Sequence, residues 1–280
     1  MSQDYENVEI IVSDNASTDE TRNICQSYCN QDTRVKYFRQ PSNLGPVVNF
    51  ATVLRMASGE YFMWLGDDDW IDPSYVKHCA SLLIADSNLA LVSGTPIYYR
   101  DGKKDREGKV FDLSGELWAS RVARYYKEVA DNGMFYGVMR TAQLQQVVMP
   151  NSMGGDWHLM ASIVSIGKTE MCSAVTVHRE MGGATVSYRE IVRSLGLPSI
   201  QAVFPMTTIA LGAVRNIAFA GVVFKKRSLL TRILLAGVVF LLVISRPTSG
   251  YTARVKRLLR KVKNILKRSI LLLINGANNK

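Results

Sequence analysis

The 280-residue chain is 47% apolar, enough to fill a sizeable core, and carries a formal net charge of +10. The charge is unevenly spread: residues 1–200 hold 19 Lys and Arg against 24 Asp and Glu, a balance of −5, while 201–280 hold 15 basic residues and no acidic one. This argues against a uniformly basic nucleic-acid binder, and no nucleic-acid motif accompanies the basic end. Cys25, Cys29, Cys79 and Cys172 form neither a disulfide framework nor a Cys-x-x-Cys zinc pattern, so reduced thiols are expected.

In chain order, Val8–Ser13 predicts a strand that ends in the turn-forming cluster Asp14–Asp19. A helix over Glu20–Gln31 follows, then a strand over Arg34–Arg39 and a loop from Pro41 to Pro46. Val47–Ala57 predicts a helix closed by Ser58-Gly59, and Tyr61–Leu65 a buried strand. The chain then breaks at Gly66 into three consecutive carboxylates, Asp67, Asp68 and Asp69. Asp72-Pro73 predicts the cap and first turn of a helix over Ser74–Ile84. Strands alternating with helices predict an α/β fold, with a mostly parallel sheet covered by helices on both faces. In that arrangement the turns at Asp14 and at Asp67–Asp69 lie at the same sheet edge, where α/β proteins bind ligands.

Further elements are expected as a short strand at Leu89–Ser93, a surface loop or hairpin tip at Arg100–Lys109, and a helix at Leu113–Val129. A strand at Met134–Met139, a helix at Thr141–Val148, a helix from Trp157 to Ile166 and a strand at Thr169–Val177 complete this part. His178–Ser187 is Gly-containing and reads as a loop. Met1–Ile10 is polar and acidic, unlike a secretory leader.

Residues 201–280 predict a separate helical, basic and apolar region. The apolar run Phe204–Phe224 is interrupted by Arg215, and Ile233–Ser245 is shorter than the roughly 20 residues a membrane span needs. Between Arg254 and Ile270 apolar residues recur every three or four positions among eight Lys or Arg. That pattern suits a helix lying in an anionic membrane surface. The chain is therefore expected at the cytoplasmic face of a membrane, peripheral or shallowly inserted through 201–280.

Three adjacent carboxylates repel unless a cation neutralises them. The spacing does not fit a calcium-binding helix-loop-helix, because the sixth position from Asp67 is Asp72 instead of Gly and the twelfth is His78 instead of Glu. An incomplete oxygen cage suits Mg²⁺ or Mn²⁺, which complete their coordination with substrate phosphates and water.

Four blocks in this order, Tyr5–Thr21, Asn43-Leu44-Gly45 with Asn49, Ala57–Tyr61, and Leu65–Asp69 with Pro73, make the chain resemble a family 2 glycosyltransferase over about residues 3–195. The resemblance implies the GT-A fold and an inverting, metal-assisted transfer of a sugar from a nucleotide-diphosphate donor to a saccharide or lipid-linked acceptor. It implies Asp69 as direct metal ligand with Asp67 beside it. Asp68 is assigned to the donor's ribose or sugar, Asp14 to its base, and Asn15, Asn43 and Gly45 to the nucleotide-sugar pocket. Asp156 is implied as the base that takes the acceptor's proton, and His178, Arg179 and Arg189 as candidate diphosphate contacts. Family members begin with a further strand and helix before the Tyr5–Glu9 segment, so the resemblance also implies that a central strand is missing here, with weakened stability and activity. The competing readings are a non-catalytic, membrane-associated binding or scaffold fragment and a nucleotidyltransferase of the same fold.

Overall fold

A computed structural model describes residues 1–182 and 187–246. The amphipathic stretch expected at 254–270 lies outside them. Strand β1 (Ile10–Asp14) pairs in parallel with β2 (Val35–Arg39) after helix α1 (Thr21–Gln31), as the β-α-β pattern predicts. These two strands form a sheet of their own. Helix α2 (Pro46–Met56) starts with a proline, whose fixed φ suits a first turn. It leads to the short strand β3 (Tyr61–Phe62), which belongs to a second sheet of six strands.

That second sheet is mixed. Strand β5 (Leu89–Arg100) runs parallel to β8 (Lys168–Glu180) and antiparallel to β7 (Val138–Arg140) and β6 (Lys103–Glu107). The two-residue strand β4 (Trp70–Ile71) pairs antiparallel with β8, and β3 pairs antiparallel with β7. The sheet is mixed and broadly as expected: among the described residues β1–β2 and β5–β8 pair in parallel and the remaining strand pairs are antiparallel. Strand β5 is far longer than Leu89–Ser93 because Asp101 and Gly102, at φ +51° and +72°, turn the chain into a hairpin with β6.

The expected strand at Met134–Met139 divides in two. Gly133–Tyr136 forms a 3₁₀ turn, and only Val138–Arg140 is extended. Asn132, at φ +51°, redirects the chain into this turn. An uninterrupted apolar run does not distinguish the two conformations by its periodicity.

Helices α3 (Tyr75–Ala85), α4 (Trp118–Glu128) and α6 (Gly155–Ile166) bury Tyr75, Cys79, Leu83, Val122, Tyr125, Tyr126, Leu159, Met160 and Ile163 in a single core. Helix α5 (Thr141–Leu144) follows β7, and α7 (Tyr188–Ser194) and α8 (Ile200–Val203) follow β8. Helix α9 (Pro205–Val214), a π-helical segment (Arg215–Ala220), α10 (Val222–Lys225) and α11 (Leu229–Ile244) then pack onto α4 and α6. Ile209, Ala213, Ile217, Phe224, Val239 and Val243 join the same core, and Asn216 donates to the His158 carbonyl at 3.1 Å. Arg246 reaches the carbonyls of Tyr126 and Val129. Residues 205–246 thus form a helical layer continuous with the core of residues 1–200. No helix of the described residues is long and apolar enough to cross a membrane.

Glu9 ties the first sheet to the entry of the second. Its carboxylate accepts from the Ser58 N–H at 2.6 Å, the Ser58 hydroxyl at 2.8 Å, the Gly59 N–H at 3.1 Å and Lys36 Nζ at 2.7 Å. Burial opposes its charge, but the bonds from Lys36 and Ser58 outweigh burial and hold the carboxyl at about 2. A folded-state value below the ordinary 4.5 contributes stability above that pH and loses it as pH falls towards 2. Glu9→Gln is expected to cost about 1–2 kcal/mol at pH 7 in chemical denaturation, with Lys36's exposure keeping the figure low. The gap should close as pH falls from 4.5 towards 2.

Candidate active site

The acidic turn begins where a buried aromatic cluster ends. Trp64 stacks on Phe135 at 4.9 Å and donates from Nε1 to the Phe50 carbonyl at 3.1 Å, which fixes the chain just before Gly66. A Cβ on Gly66 would lie 2.9 Å from Asp69 Oδ2, 3.0 Å from Asp68 Oδ1 and 3.2 Å from the Tyr136 hydroxyl. Three oxygens therefore converge on a place that only glycine leaves open. Asp69 is almost fully enclosed; it accepts from the Glu180 N–H at 3.0 Å and faces Arg179 Nε at 3.6 Å. Burial first, and the neighbouring charge of Asp69 second, push the Asp68 carboxyl up. Asp68 and Asp69 offer hard carboxylate oxygens of the kind Mg²⁺ and Mn²⁺ take, but among the described residues no group of three or more such ligands gathers. Asp67 is exposed at the start of the turn.

Asp72 does not cap the following helix. Its carboxylate turns to β8, accepting from the Thr176 N–H at 2.7 Å and meeting His178 Nε2 at 2.9 Å. The other imidazole nitrogen of His178 meets the Tyr99 hydroxyl at 3.0 Å, and its ring stacks on Trp70 at 5.1 Å. Alternation along β8 sends Arg179 to the opposite face, towards Asp69. Of the three residues named as diphosphate contacts, Arg179 is the one that joins the acidic turn. Arg189 is exposed on α7.

Asp156 stands in the first turn of α6 behind Gly154, which takes φ +72°. Asn132 donates to its carboxylate at 2.8 Å and itself accepts from the Tyr125 hydroxyl at 2.9 Å. Burial pushes the Asp156 carboxyl above the usual range. The Asn132 bond, the N–H groups of Trp157 and Asp156, and the charge of Arg179 oppose it without cancelling it. Arg179 bears on both acids: it faces Asp69 at 3.6 Å, and its charge favours the ionised form of Asp156. Its guanidinium sits 4.6 Å from the centre of the Tyr136 ring and 5.6 Å from that of Tyr98, and donates to the Asp131 carbonyl at 3.3 Å. Its Nε is buried without a hydrogen-bond partner.

The remaining predicted residues gather at the end of β1. Asn15 donates to Asn43 at 2.9 Å and accepts from the Leu44 N–H at 2.9 Å, while Asn43 also accepts from the Gly45 N–H. Gly45, at φ +81°, opens α2. Asp14 is buried, taking the Ser17 N–H at 2.7 Å and the Tyr37 hydroxyl at 2.6 Å, with Arg39 at 3.5 Å. Burial works against its charge, but the bonds from Ser17 and Tyr37, together with Arg39, hold it below the usual range. Its oxygens thus close the turn after β1. Among the described residues no hydrogen bond joins this group directly to Asp67–Asp69.

Sequence reasoning missed Asn132 and Tyr136. The Asp131-Asn132-Gly133 run is a turn signal that could have found the first. Tyr136 sits inside an apolar run and carries no local mark.

A family model described as "Glycosyl transferase family 2" matches residues 1–147. The GalNAc(5)-diNAcBac-PP-undecaprenol beta-1,3-glucosyltransferase of Campylobacter jejuni is 34% identical over 121 residues, 41% of this chain and 38% of that protein. Glycosyltransferase GlyA of Streptococcus pneumoniae is 27% identical over 157 residues, 55% of this chain and 20% of that protein. The chain thus aligns with well under half the length of these relatives. The crystal structure of S. aureus TarS 1–349 in complex with UDP superposes with a TM-score of 0.54 at 18% identity, covering 94% of this chain and 80% of that one. That likeness concerns the fold, which is GT-A.

Proposed function

Because the chain belongs to glycosyl transferase family 2, we propose that it transfers a sugar, with inversion, from a nucleotide-diphosphate donor to a hydroxyl of a saccharide or lipid-linked acceptor. The observation that carries this reading is the convergence of Asp68, Asp69 and Tyr136 oxygens at Gly66 beside Arg179, whose charge also favours the ionised form of Asp156. Asp69 and Asp68, with Asp67 at the exposed start of their turn, would hold Mg²⁺ or Mn²⁺. The ion would supply positive charge against the diphosphate leaving group. Arg179, ion-paired with Asp69 at 3.6 Å, would add its charge against the same leaving group. Asn15, Asn43 and Gly45 would contact the nucleotide, with Asp14 fixing the turn that carries Asn15.

Inversion requires attack from the side opposite the leaving group, with a base to take the acceptor proton. Asp156 fills that role: Asn132 orients the carboxylate, and burial raises its affinity for a proton. The named activity of the C. jejuni relative supports a lipid-linked saccharide as acceptor class and glycan assembly at a membrane surface as the setting. Incubation with UDP-, dTDP- and GDP-sugars plus Mn²⁺ and polyprenyl-diphosphate saccharides is expected to release a nucleoside diphosphate with at least one donor. Absence of release with every donor and acceptor would refute the reading.

A further inference from the structure

Helix α11 is apolar on both sides. Leu235, Ala236, Val239 and Val243 face the core, while Leu230, Ile233 and Leu234 on the outer side are 67%, 48% and 61% exposed. A helix apolar all round belongs among apolar neighbours all round. Leu211 on α9 and Phe219 on the π-helical segment, both elements that pack against α11, are also more than half exposed. Arg215, on the π-helical segment that packs against α11, and Lys225, on α10 beside that segment, are exposed, and Arg232, within the leucine-rich stretch, has a buried Nε without a hydrogen-bond partner. No Asp or Glu occurs anywhere in 201–280.

We propose that this face of α9–α11 seats on a bilayer containing anionic lipid. Acyl chains would cover the leucines, and lipid phosphates would pair with Arg215, Lys225 and Arg232. A second copy of the chain is the poorer occupant, because two such surfaces would bring like charges together with no acidic residue between them. At 16 residues α11 is roughly 24 Å long, short of the roughly 30 Å hydrocarbon thickness, so it lies along the surface. The proposal deepens the membrane-surface reading above and does not depend on the transfer chemistry.

The test uses the full 280-residue chain and flotation with vesicles of phosphatidylcholine and phosphatidylglycerol at 3:1, against phosphatidylcholine alone. Binding is expected only to the anionic vesicles, and the double variant Leu230→Ser/Leu234→Ser should bind at least tenfold more weakly while melting like the wild type. A photoreactive benzoylphenylalanine placed at position 234 should give a lipid adduct. Unchanged flotation of the double variant, or an adduct to protein in place of lipid, would overturn the assignment of this face. Because these positions lie away from the cleft, nucleoside diphosphate release measured in parallel reports separately on the catalytic reading.

Discussion

Asp156→Asn is expected to lower turnover by about 10²- to 10⁴-fold, the usual contribution of a positioned base, while donor binding stays within a few-fold of wild type. Asparagine keeps the size of the side chain and an oxygen for the Asn132 amide, but it cannot take a proton. Because burial raises the Asp156 carboxyl above its ordinary value, the folded state binds that proton more tightly than the unfolded chain does. This contribution to stability therefore declines as pH rises through the interval between the two values. Above it the asparagine variant should melt no lower than the wild type, which separates lost catalysis from lost structure. The same shift places the acid limb of the rate profile above the usual carboxylate range. Asn132→Ala removes a bond that favours the ionised form, so the limb should move higher still.

Asp69→Ala should abolish metal-dependent turnover, a loss of about 100-fold or more, since charge stabilisation at the leaving group is worth several kcal/mol. Asp69 is also the acceptor for the Glu180 N–H and the counter-ion of Arg179. Its removal leaves a guanidinium in a mostly enclosed place without its acid, so affinity for the donor should fall along with turnover. Asp69→Asn separates these effects. It keeps an acceptor for Glu180 but not the charge, and should retain the fold while losing response to Mn²⁺. A variant that turns over normally without metal would remove the acidic turn from the chemistry.

Much of this arrangement was legible in the chain. The strand that breaks at Gly66 into carboxylates marked the acidic turn because that signal is local, whereas Asp69 as metal ligand and Asp156 as base came from the family resemblance. The turn clusters at Asp14–Asp19 and Pro41–Pro46 were legible as turns, but the bond between Asn15 and Asn43 that joins them was not. What escaped detection was non-local. Arg179 and His178 are neighbours in a strand, and alternation alone decides that one faces Asp69 and the other Asp72. Asp72-Pro73 resembled a helix cap, yet its carboxylate serves β8, more than a hundred residues away. The helices after residue 204 were read as a tail because their composition is basic and apolar. They join the core because Asn216, Arg246 and the inward face of α11 find partners on α4 and α6.

Calorimetric titration of UDP-, dTDP- and GDP-sugars into the wild-type chain, with and without Mn²⁺, tests the central claim most directly. At least one donor should bind with Mn²⁺ present, weaken markedly when the ion is chelated, and lose that metal dependence in Asp69→Ala. A donor that binds equally well without the ion and in Asp69→Ala, or no binding by any donor under either condition, would contradict the account.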